Sequence, residues 1–234
     1  MSNLRTLLLD FGGTLDSAGK HWSTQFAESF AQAGVTLDRK ALDKAFLSAD
    51  RAIAEDPRAV TMGLADYASE YARRMLALLD HPISVQAEAI AEPFLQEARA
   101  HLRASVAQLA STRGRFRLAV VSNFTANLPL ILREVGLAPL LDAVVCSAIE
   151  GVKKPDASIF RLALQRVGGI AEEAVMIGDS LGNDITPAKQ LGLTTVWLQG
   201  DRTFTSGRES DADYVVSSLA QAISVVCQAE EGGR

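Results

Sequence analysis

Three sites far apart in the chain carry polar residues where short apolar runs end, and a lysine stands just before a proline between the second and third of them. Asp10 ends the run Leu7-Leu8-Leu9 and is followed by Phe11-Gly12-Gly13-Thr14. Ser122 and Asn123 end Leu118-Ala119-Val120-Val121, Asp179 follows Val175-Met176-Ile177-Gly178, and Lys154 precedes Pro155. A buried strand that delivers a carboxylate into a Gly-Gly turn supplies a candidate nucleophile. With a reference pKa of about 3.9, Asp10 is ionised at neutral pH without a helper. Gly12 and Gly13 let the backbone approach a phosphate closely. Two carboxylates pushed together repel unless a cation lies between them, so Asp10 and Asp179 imply a hard divalent ion with oxygen ligands, most simply Mg²⁺. Ser122, Asn123, Lys154 and the amides near Gly13 offer hydrogen-bond donors and positive charge to an anion. The chemistry within reach is attack on a bound phosphate.

These residues meet only if the apolar runs are neighbouring strands of one open sheet, whose ligands bind outside the carboxyl ends of the strands. The second half of the chain supports such a sheet. Strands are predicted at 116–121, 143–146, 174–177, 194–198 and 214–216. Helices are predicted around 128–135, 159–164 and 184–191, with a last one through Leu219 and Val225. Strands alternating with helices, without hairpin signals, predict an α/β fold with a doubly wound parallel sheet. Between Leu15 and about residue 100 the pattern is helical instead. One helix is expected over 22–32 with Gly34 as its stop, and a second is capped by Asp38 and ends near Pro57. A third runs over 64–79, closed by His81-Pro82, and a fourth starts after Ser84 and is interrupted or kinked at Pro93. Four such helices form a small bundle with its own apolar seam. The expected domains are therefore 1–16 with 101–234 as the core, and 17–100 as an inserted helical cap.

The 234 residues, 48% hydrophobic and 22% charged, suffice to bury a substantial core. A net charge of −5 and scattered basic residues argue against a nucleic-acid partner. The densest basic group, Arg113, Arg115 and Arg117, is expected on a solvated strand edge. Cys146 and Cys227 lack metal-type spacing and form no disulfide framework, which fits a reducing compartment, by default the cytoplasm. No apolar run approaches the roughly twenty residues that cross a bilayer.

Taken together, the motifs resemble the haloacid dehalogenase-like hydrolase superfamily, with a helical cap inserted after the first motif. Asp10-Phe11-Gly12-Gly13-Thr14 matches the first motif, Ser122 the second, Lys154 before Pro155 the third, and Gly178-Asp179-Ser180-Leu181-Gly182-Asn183-Asp184 the fourth. The resemblance implies a Rossmann-like core with Asp10 as nucleophile and Ser122 and Lys154 as phosphate ligands. It also implies that Asp10, Asp179 and the carbonyl of Gly12 hold the metal, with Asp184 as a supporting carboxylate. It departs at Gly12, where the family's phosphatases usually carry the aspartate that protonates the leaving group. Glycine there preserves the carbonyl ligand and deletes the acid. The leading expectation is a Mg²⁺-dependent phosphatase acting on a small phosphorylated metabolite through an aspartyl phosphate, selective for good leaving groups or slow in its second step. The alternatives are a 2-haloacid dehalogenase, or a weakly active or non-catalytic phosphate-binding protein. Asp16 is expected to shape the entry into the cap, and His21 and Trp22 to form a half-buried aromatic pair in helix packing. The Tyr67, Tyr71, Met75 stripe is read as bundle core, and His81 and His101 as peripheral.

Overall fold

The structure is a computed structural model that describes residues 4–79, 85–200 and 211–231. Its six strands, β1 (Thr6–Leu9), β2 (Arg117–Ser122), β3 (Ala143–Cys146), β4 (Ala174–Gly178), β5 (Thr194–Leu198) and β6 (Tyr214–Val216), form one sheet in the order β3-β2-β1-β4-β5-β6. Every pairing is parallel. The chain winds outward from β1 through β2 to β3, then crosses back to β4, so the order reverses between β1 and β4. Such a reversal opens a crevice at the carboxyl ends of the two strands. Leu9 pairs with Ile177 across it, which brings Asp10 and Asp179 to the same edge.

Side chains alternate between two cores. Leu7, Leu9, Leu118, Val120, Val175 and Ile177 face one. Leu8, Ala119, Val121, Ala174 and Met176 face the other, packed against Ile159, Phe160 and Ala163. A central strand buried on both faces needs apolar residues on both, so its sequence reads as a continuous run rather than an alternation.

Helices α1 (Trp22–Gln32), α2 (Arg39–Ala54), α3 (Leu64–Leu78) and α4 (Ala87–Ala110) lie between β1 and β2 as an insertion in the sheet's winding. Asp38 caps α2 by accepting from the Ala41 amide at 3.1 Å. Pro93 lies inside α4, which continues unbroken past residue 100, where the core was expected to resume. This helix packs on α1 and α3 and also on the last helix, so one rod serves both regions. The remaining helices are α5 (Leu128–Glu134), α6 (Ser147–Glu150), α7 (Ala157–Val167), α8 (Thr186–Gln190) and α9 (Leu219–Glu231), and one π-helical turn, Leu181–Ile185, leads into α8. The third helix stops at Leu78, and its expected closing pair, His81 and Pro82, lies outside the described residues.

The insertion is pinned to the loop after β2 and to α5. Glu134 Oε2 accepts from the Leu64 amide at 2.9 Å, capping α3 from the other region. Asn127 Nδ2 donates to the Met62 carbonyl at 2.9 Å, and Thr125 Oγ1 to the Tyr67 hydroxyl at 2.7 Å. At the opposite end of the sheet Arg115 pairs with Glu230, and Arg117 donates to the carbonyls of Val167 and Gly168. Two of the three arginines expected on a solvated edge thus brace neighbouring elements. Both cysteines are free thiols. No helix among the described residues is long and apolar enough to cross a membrane.

Candidate active site

The crevice at the reversal point encloses about 540 Å³, and Asp10, Gly12, Ser122, Asn123, Lys154, Asp179 and Asp184 all line it. Asp10 follows β1 directly and is held there by its amide, which donates to the Ile177 carbonyl at 3.0 Å. One oxygen from each of Asp10, Asp179 and Asp184 lies within 4.8 Å of the others, and all three residues are buried. Lys154 Nζ bridges two of them, 2.7 Å from Asp10 Oδ1 and 2.6 Å from Asp184 Oδ1. One ammonium among three buried carboxylates leaves a net charge of −2 when all are ionised. An all-oxygen donor set with that charge suits a hard cation such as Mg²⁺.

Two glycines make this crowding possible. A Cβ at Gly13 would meet the Asp179 carboxyl group at 2.6–2.8 Å, and its φ of +89° disfavours any other residue. A Cβ at Gly178 would meet Asp184 at 2.5 Å. Each glycine clears the volume that a carboxylate fills.

The electrostatics follow from burial and close packing. Burial works against a charged Lys154, but Asp10 and Asp184 more than compensate and hold its ammonium well above the usual lysine range. For Asp184, burial outweighs the opposing pull of Lys154, Asp10 adds repulsion, and the carboxyl is pushed up to about 6. Its second oxygen accepts from the Ser180 amide at 3.0 Å.

Two expected phosphate donors have other partners. The Gly13 amide donates to Asp16 Oδ1 at 2.7 Å, which removes it from the donors offered to a ligand. Gly13 serves through its missing side chain instead. The Asn123 side chain forms a two-point clamp on the Lys154 backbone, accepting from its amide at 2.8 Å and donating to its carbonyl at 2.9 Å. It therefore fixes the loop that presents the lysine. Ser122 stays in the crevice at the end of β2, 2% exposed.

Asp16 and Trp22 are more closely tied than their spacing suggested. Asp16 is fully buried, accepts from both the Gly13 amide and the Trp22 indole Nε1, and is pushed up to about 7, mainly by burial. Trp22 is buried rather than half-buried, and a Cβ added at Gly12 would lie 3.6 Å from its Nε1. The indole thus borders the space above Gly12. His21 caps α1 by accepting from the Ser23 amide and lines the crevice. Tyr67 and Tyr71 are buried as expected, and they too reach the crevice, with Phe46, Asp50 and Phe124. Nothing in the sequence marked Asp50 or Phe124, because their place depends on how the insertion sits over the sheet.

A parallel α/β core thus brings three carboxylates and a lysine together at its reversal point, next to the helical segment between β1 and β2. The chain belongs to the haloacid dehalogenase-like hydrolases, whose family model matches residues 4–192. It is 35% identical over 95 residues to a glyceraldehyde 3-phosphate phosphatase of Methanocaldococcus jannaschii, covering 41% of this chain and 42% of that protein. To a phosphoserine phosphatase of Thermus thermophilus it is 32% identical over 117 residues, covering 48% and 47%. The chain thus spans less than half the length of these two relatives. An L-2-haloacid dehalogenase, RSc1362, superposes with a TM-score of 0.65 at 17% identity over 97% of this chain and 100% of the other, a likeness of fold.

Proposed function

We propose that this chain is a Mg²⁺-dependent phosphatase of a small phosphorylated metabolite, working through an aspartyl phosphate on Asp10. The observation that carries this reading is the convergence of Asp10, Asp179 and Asp184 around one point, with Lys154 Nζ bridging Asp10 and Asp184. Asp10, Asp179 and the carbonyl of Gly12 would hold the ion, which when bound supplies positive charge to the phosphoryl oxygens. Asp10 lines the crevice with Oδ1 2.7 Å from Lys154 Nζ and is the attacking carboxylate. Lys154 fixes that oxygen and offers its positive charge to the phosphate, while Ser122 donates from the end of β2. Asn123 keeps Lys154 in register, and Asp184 holds its ammonium in place. The helical region 17–100 acts as a cap over the crevice and excludes water from it.

The clustering of Asp179 with Asp10 and Asp184 also weighs against the dehalogenase reading, which needs a nucleophilic aspartate but no cation to offset the extra negative charge. Named phosphatases among the relatives support the same choice. A panel of phosphate monoesters and 2-haloacids, assayed with Mg²⁺, with EDTA and with Asp10→Asn, tests the proposal. Phosphate release that disappears with EDTA and in the variant is expected. Halide release insensitive to EDTA would overturn it, as would tight phosphate binding without turnover of any ester.

A further inference from the structure

Away from Lys154 the crevice runs between the insertion and the loop after β2, along Trp22, Phe46, Tyr67, Tyr71 and Phe124. These rings form one cluster. Trp22 lies edge-on to Tyr67, Tyr71 and Phe124 with centroids 5.9, 5.6 and 5.6 Å apart, and Phe46 stacks on Tyr71 at 5.4 Å. Charge is distributed unevenly. Among the described lining residues Lys154 is the one lysine or arginine, and it sits at the phosphate end between two carboxylates. The far end carries Asp50, which accepts a hydrogen bond from the Tyr71 hydroxyl, and His21. A second phosphate or a carboxylate on the substrate would meet an aspartate there. Beside Asp10, Gly12 has no side chain to protonate a departing oxygen, and the indole N–H of Trp22 that borders the space over it is donated to Asp16.

We infer, on the phosphatase reading above, that the leaving group is an aryl alcohol without further negative charge, rather than a sugar, a second phosphate ester or an amino acid. The parts of these closely packed rings that border the crevice offer a flat ring apolar contacts on that side. A phenol, with a pKa of about 10, leaves as its anion far more readily than an alkoxide. In the first step an Asp10 oxygen bonds to phosphorus as the P–O bond to the aryl group breaks. The aryloxide departs with the bonding pair and is protonated by bulk water. In the second step water attacks phosphorus, the bond to Asp10 breaks, and both hydrogens leave on dihydrogen phosphate as the carboxylate is restored. Aromatic recognition and missing acid thus select the same ester.

The test compares kcat/KM, with Mg²⁺ present, for phenyl phosphate, a fluorinated alkyl phosphate whose alcohol is as acidic as phenol, an unactivated alkyl phosphate, phosphoserine and glyceraldehyde 3-phosphate. Asp10→Asn serves as the blank. Matched acidity separates ring recognition from leaving-group chemistry. Phenyl phosphate is expected to exceed the fluorinated ester by about tenfold, roughly what favourable ring contacts supply, and the other esters by more. Asp50→Lys is expected to raise the turnover of carboxyphenyl phosphate relative to phenyl phosphate severalfold. Equal rates for phenyl and fluorinated esters, or faster turnover of phosphoserine, glyceraldehyde 3-phosphate or the alkyl ester, would overturn the inference while leaving a phosphatase. Absence of Asp10-dependent turnover with every ester would remove the phosphatase reading and the inference together.

Discussion

On the proposed phosphatase reading, replacing Gly12 by aspartate should extend turnover to esters with poor leaving groups, and the site's geometry sets how far. A Cβ at Gly12 would lie 3.6 Å from Trp22 Nε1 and 3.8 Å from Trp22 Cδ1, ordinary contact distances, and Gly12, unlike Gly13, is not in the left-handed backbone region. The substitution therefore needs no backbone shift, and Gly12→Ala should fold normally and act like the parent. An aspartate adds a carboxyl group two residues from the nucleophile, at the crevice. A positioned general acid is worth about 10²- to 10⁴-fold, or about 3 to 5 kcal/mol off the barrier. Competition with Asp16 for the Trp22 N–H holds the gain toward the lower figure. Alkyl phosphates, whose alkoxides need a proton, should gain about 10²-fold in kcat/KM, and aryl phosphates little. Phosphate release across both ester classes, for parent, Gly12→Ala and Gly12→Asp, measures this. A folded Gly12→Asp that keeps its aryl turnover but gains nothing on alkyl esters would refute the reasoning, as would an equal gain in Gly12→Ala.

Four further outcomes are expected. Gly13→Ala, which drives a Cβ to 2.6–2.8 Å from the Asp179 carboxyl group at a positive φ, should abolish turnover and weaken Mg²⁺ binding measured by calorimetry. Lys154→Met leaves three buried carboxylates without their ammonium and should destabilise the metal-free protein by about 3–5 kcal/mol in urea denaturation, with part recovered on adding Mg²⁺. Asp16 holds its proton more tightly when folded than unfolded, with its pKa raised from 3.8 to about 7. Its contribution is thus fully present below pH 4 and lost as pH rises through 7, by an amount on the order of 4 kcal/mol. In Mg²⁺-free denaturation at pH 4, 6 and 8, Asp16→Asn should flatten this loss, and parallel profiles for variant and parent would exclude it. Trp22→Phe removes the indole donor from a buried carboxylate and should lower stability by about 1–3 kcal/mol, read as a fall in the denaturation midpoint.

The strands and most helix limits could be read from the sequence because local signals decide them. The short apolar runs, bounded by glycines and polar turns and rich in β-branched residues, read as strands buried on both faces, and Asp38 marked the start of α2. That Asp10 and Asp179 would lie at one edge was legible as well, since a parallel sheet sends the ends of its central strands there, whereas Asp184 came into view only through the family resemblance. What remained hidden depends on contacts between distant segments. The Gly13 amide was expected to face a ligand, yet Asp16 folds back three residues to take it. Asn123 was expected to face phosphate; it lines the crevice, and it also clamps the backbone of Lys154, 31 residues away, which its sequence position did not show. Trp22, Asp50 and Phe124 gain their places from the seating of the insertion on α5 and the loop after β2, through Glu134, Asn127 and Thr125. Helical periodicity describes which face of α1 is apolar but not what that face meets.

The central claim is that Asp10 carries the phosphoryl group between substrate and water. Rapid acid quenching of the enzyme during turnover of phenyl phosphate with Mg²⁺, followed by mass spectrometry of its peptides, tests this directly. The expected result is the mass of one phosphoryl group on the peptide that contains Asp10, absent without Mg²⁺ and absent in Asp10→Asn. Continued phosphate release by Asp10→Asn, or a phosphoryl group on a different peptide, would contradict it.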